Sequence, residues 1–122
     1  MTSSKRGEVW LVNLDPTIGA EIQKTRPVVM VNSDFIGKLP LKLVVPITDW
    51  KPDFASNLWH VYIESTDTNG LTKTSAADVL QLRSVDVRRF VRKLGILSAV
   101  DLQEIAIAIA AVVEYQETRD ES

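Results

Sequence analysis

Cysteine is absent from the 122 residues, and histidine occurs once, at His60. Without thiols the chain has no disulfide framework and no thiolate metal site, which suits a reducing compartment. A zinc constellation, which needs three or more N, S or O ligands at set spacing, has no basis. Neither G-x-x-x-x-G-K-[ST] nor G-x-G-x-x-G occurs, so nucleotide phosphate loops have no support. No G-x-S-x-G elbow accompanies His60, which falls on the polar face of its segment and reads as a structural residue. The carboxylates stand singly, which weakens a two-metal nuclease site. No metal and no cofactor is expected.

Long apolar runs are missing too. The longest, residues 105–113, is far short of the roughly 20 needed to span a bilayer. The opening MTSSKRGE has no apolar stretch behind its charges and does not read as a signal peptide. No repeat, low-complexity segment or Pro/Gly/Ser-rich linker divides the sequence. With 45% hydrophobic residues, the expectation is one compact, soluble, cytoplasmic domain over residues 1–122, with an acidic tail from about residue 116 and no membrane association.

The net charge of -2 argues against bulk electrostatic binding of nucleic acid, but it hides an asymmetry. Residues 1–97 carry 13 Lys/Arg against 10 Asp/Glu, whereas residues 98–122 carry one Arg against six acids. A local phosphate site on the body therefore stays open.

Several short segments read as strands. GEVWLVNL (7–14) is rich in β-branched and aromatic residues and stops at the turn pair Asp15-Pro16. The connection that follows, 15–26, is long, and long loops are usually functional or mobile. PVVMVN (27–32) reads as a buried strand, with proline acceptable at its first position. KLVVPIT (42–48) is another, in which Pro46 predicts an edge position or a bulge. LWHVYIE (58–64) alternates, with Trp59, Val61 and Ile63 on one face and His60, Tyr62 and Glu64 on the other. Thr68-Asn69-Gly70 signals a reversal, ADVLQLRS (77–84) and FVRKLGI (90–96) complete the strands, and Val85 to Arg89 is a helical turn. Ser98 and Asp101 form a capping signal, after which Leu102, Ile105, Ala106, Ile109, Val112 and Val113 keep helical spacing. A helix so apolar around its circumference is expected to pack on two sides, the second against another element or a partner chain. The pattern predicts a mainly β fold with α, a small bent barrel or sheet carrying one C-terminal helix.

Two residues at strand ends draw attention: Arg26, just before PVVMVN, and Thr48, closing KLVVPIT. If these strands are neighbours, both side chains stand at one rim. Taken alone, an Arg-Pro strand start is an ordinary solvated loop end. RGEVWLV (6–12), NLDPTIGAE (13–21), KTRPVV (24–29), VVPIT (44–48) and QLRSVD (81–86), in this order and spacing, resemble the MazF/PemK toxins of bacterial toxin-antitoxin systems. Five blocks in register cover the chain from about Arg6 to Val113.

The resemblance implies an SH3-like barrel of the CcdB/MazF type with a C-terminal helix packed on it, and a homodimer. It also implies a sequence-specific, metal-independent endoribonuclease acting on single-stranded mRNA. A cognate antitoxin is implied as partner, with operator DNA reached only through it. Arg26 and Thr48 match the family's catalytic Arg and Thr. Their chemistry fits: RNA supplies its own nucleophile, the 2'-hydroxyl, and the enzyme need only stabilise charge on the phosphorane oxygens. An always-charged planar guanidinium and a hydroxyl donor do that. Some relatives carry an acid before the Gln of the Q-x-R-[ST]-x-D block; here Leu80 stands there, so a mechanism using that acid does not transfer.

For RNA binding the sequence nominates Glu21, Gln23 and Lys24 in the long loop, Trp50 as a stacking residue, and Ser75 and Gln81 by resemblance. Gln81 also reads as a residue holding the barrel backbone, and Trp10 as core. The competing reading is a non-enzymatic CcdB-like poison of DNA gyrase, against which the polar tail YQETRDES, lacking a terminal aromatic, counts. A third is an inactive barrel that only sequesters an antitoxin.

Overall fold

The computed structural model describes residues 4–117; the tail assigned from about residue 116 lies largely outside them. Seven strands and one helix follow in order: β1 (Glu8–Asn13), β2 (Thr25–Met30), β3 (Leu41–Asp49), β4 (His60–Ile63), β5 (Ser75–Asp78), β6 (Arg83–Asp86), β7 (Phe90–Ile96) and α1 (Ala99–Val112). All pairings are antiparallel, in the order β4-β5-β3-β2-β1-β7, with β6 also on β3.

β3 is shared between two arms of the sheet. Its first half, Leu41 to Val44, pairs with β6, and its end, Ile47 to Asp49, pairs with β5. Pro46 sits between the two partners. The Leu43 carbonyl faces β2, where it accepts from the Val31 N–H at 3.0 Å, so alternation turns residue 46 towards the β5/β6 side. The missing proline N–H thus falls where the partner changes, and no ladder bond is lost. The expected edge or bulge is instead a handover inside a buried strand, with Pro46 fully buried.

The expected strand 77–84 is likewise two strands, β5 and β6, separated by a 3-10 turn at Val79–Gln81, and the helical turn expected nearby is Val87–Arg89. Asp78 starts the first turn by accepting from the Leu80 N–H at 3.1 Å. Strand propensity in ADVLQLRS is overridden by this local side-chain bond.

Alternation places apolar residues on both faces of the central strands. Val9, Val29, Val45 and Ile47 join Val61, Ile63 and Ile105 in one cluster, on which Leu102, Ile109 and Val112 of α1 also pack. Trp10, Val12, Val28 and Val44 form a second cluster, covered in part by Ile22 of the long loop and by Phe90. Trp10 is core, with its indole N–H donating to Glu8 Oε1 at 3.0 Å. The Ser98 hydroxyl accepts from the Asp101 N–H at 3.1 Å and caps α1 as its sequence predicts. Among the described residues only one face of α1 is covered: Ile105 and Ala108 are buried, while Val100, Ile107 and the cap residue Val113 are more than 60% exposed. Among the described residues no helix is long and apolar enough to cross a membrane.

No strand pairing closes the sheet into a full ring among the described residues. A loop spans the opening instead. The Ile96 N–H of β7 donates to the Thr68 carbonyl at 2.9 Å, and Asn69, almost fully buried, ties the turn through its side-chain amide to the Glu64 carbonyl and the Thr66 and Leu71 N–H groups. Gly70, at φ 70°, and Gly95 let the two backbones touch: a Cβ on either would lie 2.2 Å from a carbonyl oxygen opposite.

Candidate active site

The site forms where β2, β3 and this bridging loop meet. Val29 pairs with Val45 and Val28 with Pro46, where the β2–β3 ladder ends; Arg26 and Thr48 stand two residues beyond that last pair on their strands. On its other side Arg26 pairs with Val12 of β1. Both residues line a cleft of about 440 Å³ together with Lys51, Lys73, Ser75 and Arg92. Pro27 fixes the backbone directly after Arg26 and the fully buried Val28 anchors it. The exposed guanidinium donates Nε–H to the Gln23 carbonyl at 3.2 Å, which orients it and leaves its terminal amino groups without a partner among the described residues.

Four cations, Arg26, Lys51, Lys73 and Arg92, line the cleft against one carboxylate, Asp49, which lies 3.5 Å from the Lys73 ammonium. In a chain of net charge -2 this is a local positive site. The sequence reading did not single out Lys51, Lys73 or Arg92, which lie apart in the chain; only the strand ends and the bridging loop bring them together.

The other nominated residues divide. Ser75 lines the cleft but is buried, its hydroxyl donating to the Lys73 carbonyl at 2.8 Å. Glu21 and Gln81 line a second hollow, about 550 Å³, with Pro16, Ile18, Leu80 and Arg83. Within it Gln81 clasps the long loop: its Oε1 accepts from the Ile22 N–H at 3.2 Å and its Nε2 donates to the Ala20 carbonyl at 3.3 Å. The Glu21 carboxylate closes a turn in the same loop, accepting from the Ile18 N–H at 2.7 Å. Lys24, at φ 69°, ends the loop, its N–H donating to Asp15 Oδ1 at 2.9 Å. The loop is therefore a folded unit, held at its base by Asp15 and across its span by Gln81.

Beyond Thr48 the same face of the sheet is aromatic. Thr48 pairs with Ala76, and Ala76 with Tyr62, so the three form one cross-strand row. Trp50 meets Tyr62 edge to face at 5.0 Å and Phe54 at 5.8 Å. Phe54 in turn stacks on His60 at 3.7 Å. His60 is held by Asn57, 3.2 Å from Nδ1, and by Asp78, 3.5 Å from Nε2, with both ring and carboxylate largely buried. Burial pushes the Asp78 carboxyl above its ordinary range, against the pull of His60 and of the Leu80 and Gln81 N–H groups. His60 is thus a structural residue, as its sequence position predicts. Among the described residues no group of three or more His, Asp or Glu is arranged to hold a metal ion.

Comparison with known proteins gives the family. Residues 5–113 match the family model described as PemK-like, MazF-like toxin of type II toxin-antitoxin system. The chain is 34% identical over 115 residues to endoribonuclease MazF9 of Mycobacterium tuberculosis, covering 86% of this chain and 92% of that protein. Its fold is similar to MazF from Deinococcus radiodurans, with TM-score 0.78 at 19% identity over 94% of this chain and all of that one. It is also similar to an endoribonuclease in complex with its cognate antitoxin from a mycobacterial species, with TM-score 0.75 at 14% identity over 95% of this chain and all of that one. With the family model spanning nearly all the described residues and a relative 34% identical over most of both chains, the chain belongs to the PemK-like, MazF-like toxins of type II toxin-antitoxin systems.

Proposed function

We propose that this protein is a toxin endoribonuclease that cleaves single-stranded mRNA in the cytoplasm at a short sequence, and that Arg26 and Thr48 carry the chemistry. The observation supporting this most directly is their convergence in one cation-lined cleft, in a chain similar over most of its length to an endoribonuclease. The 2'-oxygen attacks the adjacent phosphorus as its proton departs, and the bond to the 5'-oxygen breaks as that oxygen gains a proton. The products are a 2',3'-cyclic phosphate and a 5'-hydroxyl end. Arg26, with its terminal amino groups open, donates to the non-bridging oxygens as their charge grows, and the Thr48 hydroxyl supplies a further donor. Lys51, Lys73 and Arg92 hold the neighbouring phosphates.

Glu21, Gln23 and Lys24 act through the folded loop beside the RNA path, and Gln81 and Ser75 through the backbone they hold, while Trp50 offers its ring to a base. The whole chain works as one domain. The cognate antitoxin, of the kind found with the mycobacterial neighbour, competes with RNA for the cleft, and any contact with operator DNA runs through it. The uncovered face of α1 supports a homodimer.

The test is end-mapping of a long RNA digested by the purified protein in EDTA. Cleavage at a recurring short sequence with 5'-hydroxyl ends is expected. Gyrase inhibition without RNA cleavage would instead identify a poison, and cleavage abolished by the chelator would require a metal.

A further inference from the structure

We infer that Tyr62 is a specificity-determining residue, the stacking platform for a nucleobase next to the cleaved phosphate; the inference rests on the ribonuclease reading above. Tyr62 is 45% exposed although it sits mid-strand in β4, with Val61 and Ile63 on either side of it buried. Its ring is not free to turn at random. Trp50 meets it edge to face at 5.0 Å, and Phe54 meets Trp50 in the same manner at 5.8 Å, with His60 stacked beneath Phe54. The His60 ring is fixed from both nitrogens by Asn57 and Asp78. The buried end of this stack is rigid, and its outermost ring is the exposed one.

The row Thr48, Ala76, Tyr62 places that ring two strand spacings from Thr48, about 10 Å. That is the reach of one to two nucleotides from the scissile phosphate. Lys51, which follows Trp50 directly, and Lys73 line the cleft on this side and hold the backbone of a strand running from Thr48 towards Tyr62. Bases of single-stranded RNA stack on such rings irrespective of sequence, and a wall fixed beside the ring then favours one size of base. A half-exposed phenol fixed against an indole meets that need.

The test uses a short RNA spanning the mapped cleavage site and variants with an abasic ribose at each flanking position in turn. Tyr62→Ala is expected to raise KM about tenfold, within the range for one base stack, while kcat changes less than twofold. Tyr62→Phe is expected to cleave as wild type does. Tyr62→Leu keeps apolar bulk against Trp50 but has no aromatic face, and it is expected to behave like the alanine variant while retaining the wild-type melting temperature. One abasic position should slow the wild type about tenfold and leave Tyr62→Ala unaffected. Losses that add at every position, or a Tyr62→Leu enzyme with wild-type KM, would overturn the platform, as would a defect confined to antitoxin binding. A wild-type protein that cuts no RNA would instead overturn the ribonuclease reading itself.

Discussion

Arg26 and Thr48, on neighbouring antiparallel strands, line one cleft, the guanidinium steadied by the Gln23 carbonyl behind it. Loss of a preorganised donor to a developing oxyanion typically slows a reaction by about 10²- to 10³-fold. Arg26→Ala is expected to lower kcat by at least that much, and Thr48→Ala by a comparable factor. Arg26→Lys should recover little, since an ammonium cannot donate two parallel hydrogen bonds. Single-turnover cleavage of a mapped oligonucleotide measures all three, and full activity in Arg26→Ala would remove it from the chemistry.

The cleft cations make a separate prediction about salt. For single strands the slope of log affinity against log salt is about -0.7 per phosphate neutralised. Lys51→Ala and Arg92→Ala, binding an uncleavable RNA in which the attacking 2'-hydroxyl is replaced by hydrogen, should each flatten the slope by about that amount. An unchanged slope would place the RNA backbone elsewhere.

Gln81 joins the strand region to the long loop through two hydrogen bonds to loop backbone. Gln81→Ala should release the span from Ala20 to Ile22, so that amide exchange there accelerates while exchange in β1 and β3 stays slow. Removing the two bonds is expected to lower stability by about 1 to 3 kcal/mol. If loop exchange stays as slow as in wild type, the clasp is not what orders it.

Two buried carboxylates respond to pH in opposite senses. Burial pushes Glu8 up, but the Lys5 N–H, the Trp10 indole and Lys93, 3.0 Å away, more than offset it and hold the carboxyl below its ordinary value. A lowered folded-state value means stability present above about pH 4.5 and lost as pH falls. Asp78 is raised, so its contribution is present below about pH 3.8 and is lost as pH rises through the folded value. At pH 7 Glu8→Gln should therefore melt lower than wild type and Asp78→Asn no lower, with both differences shrinking at pH 3. Thermal melts across that range decide it; an Asp78→Asn protein destabilised at pH 7 would contradict the sign.

Gly70 and Gly95 carry the contact that spans the open side of the sheet. An added methyl at either meets backbone within 2.2 Å, and at Gly70 it also meets a φ of 70°. Gly95→Ala is expected to destabilise by about 3 kcal/mol or more, the upper end for overpacking, and to impair cleavage through the displaced 70–73 segment. A melting temperature within a degree or two of wild type would show that the loop yields without consequence.

What could be read in the sequence was what repeats or stands next to its cause. The alternation in LWHVYIE gave the buried Val61 and Ile63, and Ser98 with Asp101 marked the helix start because a cap is a local bond. The split of residues 77–84 escaped because one Asp78 side chain, bonding to Leu80, outweighs a strand-like pattern. The meeting of Arg26 and Thr48 in one cleft was foreshadowed by their places at the ends of two apolar strands. Lys51, Lys73 and Arg92 were not, since neither period nor spacing encodes the meeting of a strand end, a bridging loop and an edge strand. The contact between Thr68 and Ile96 that spans the open side was hidden for a related reason: glycines announce a turn, but not the backbone they will touch.

Pro46 has a consequence beyond the ladder it leaves intact. On one side of it β3 pairs with β6, beside the Trp10 cluster; on the other it pairs with β5 and carries Thr48. Arg26 stands on β2, the other neighbour of β3. The mouth of the cleft thus opens at the place where one strand changes partners, next to a residue whose backbone proline stiffens.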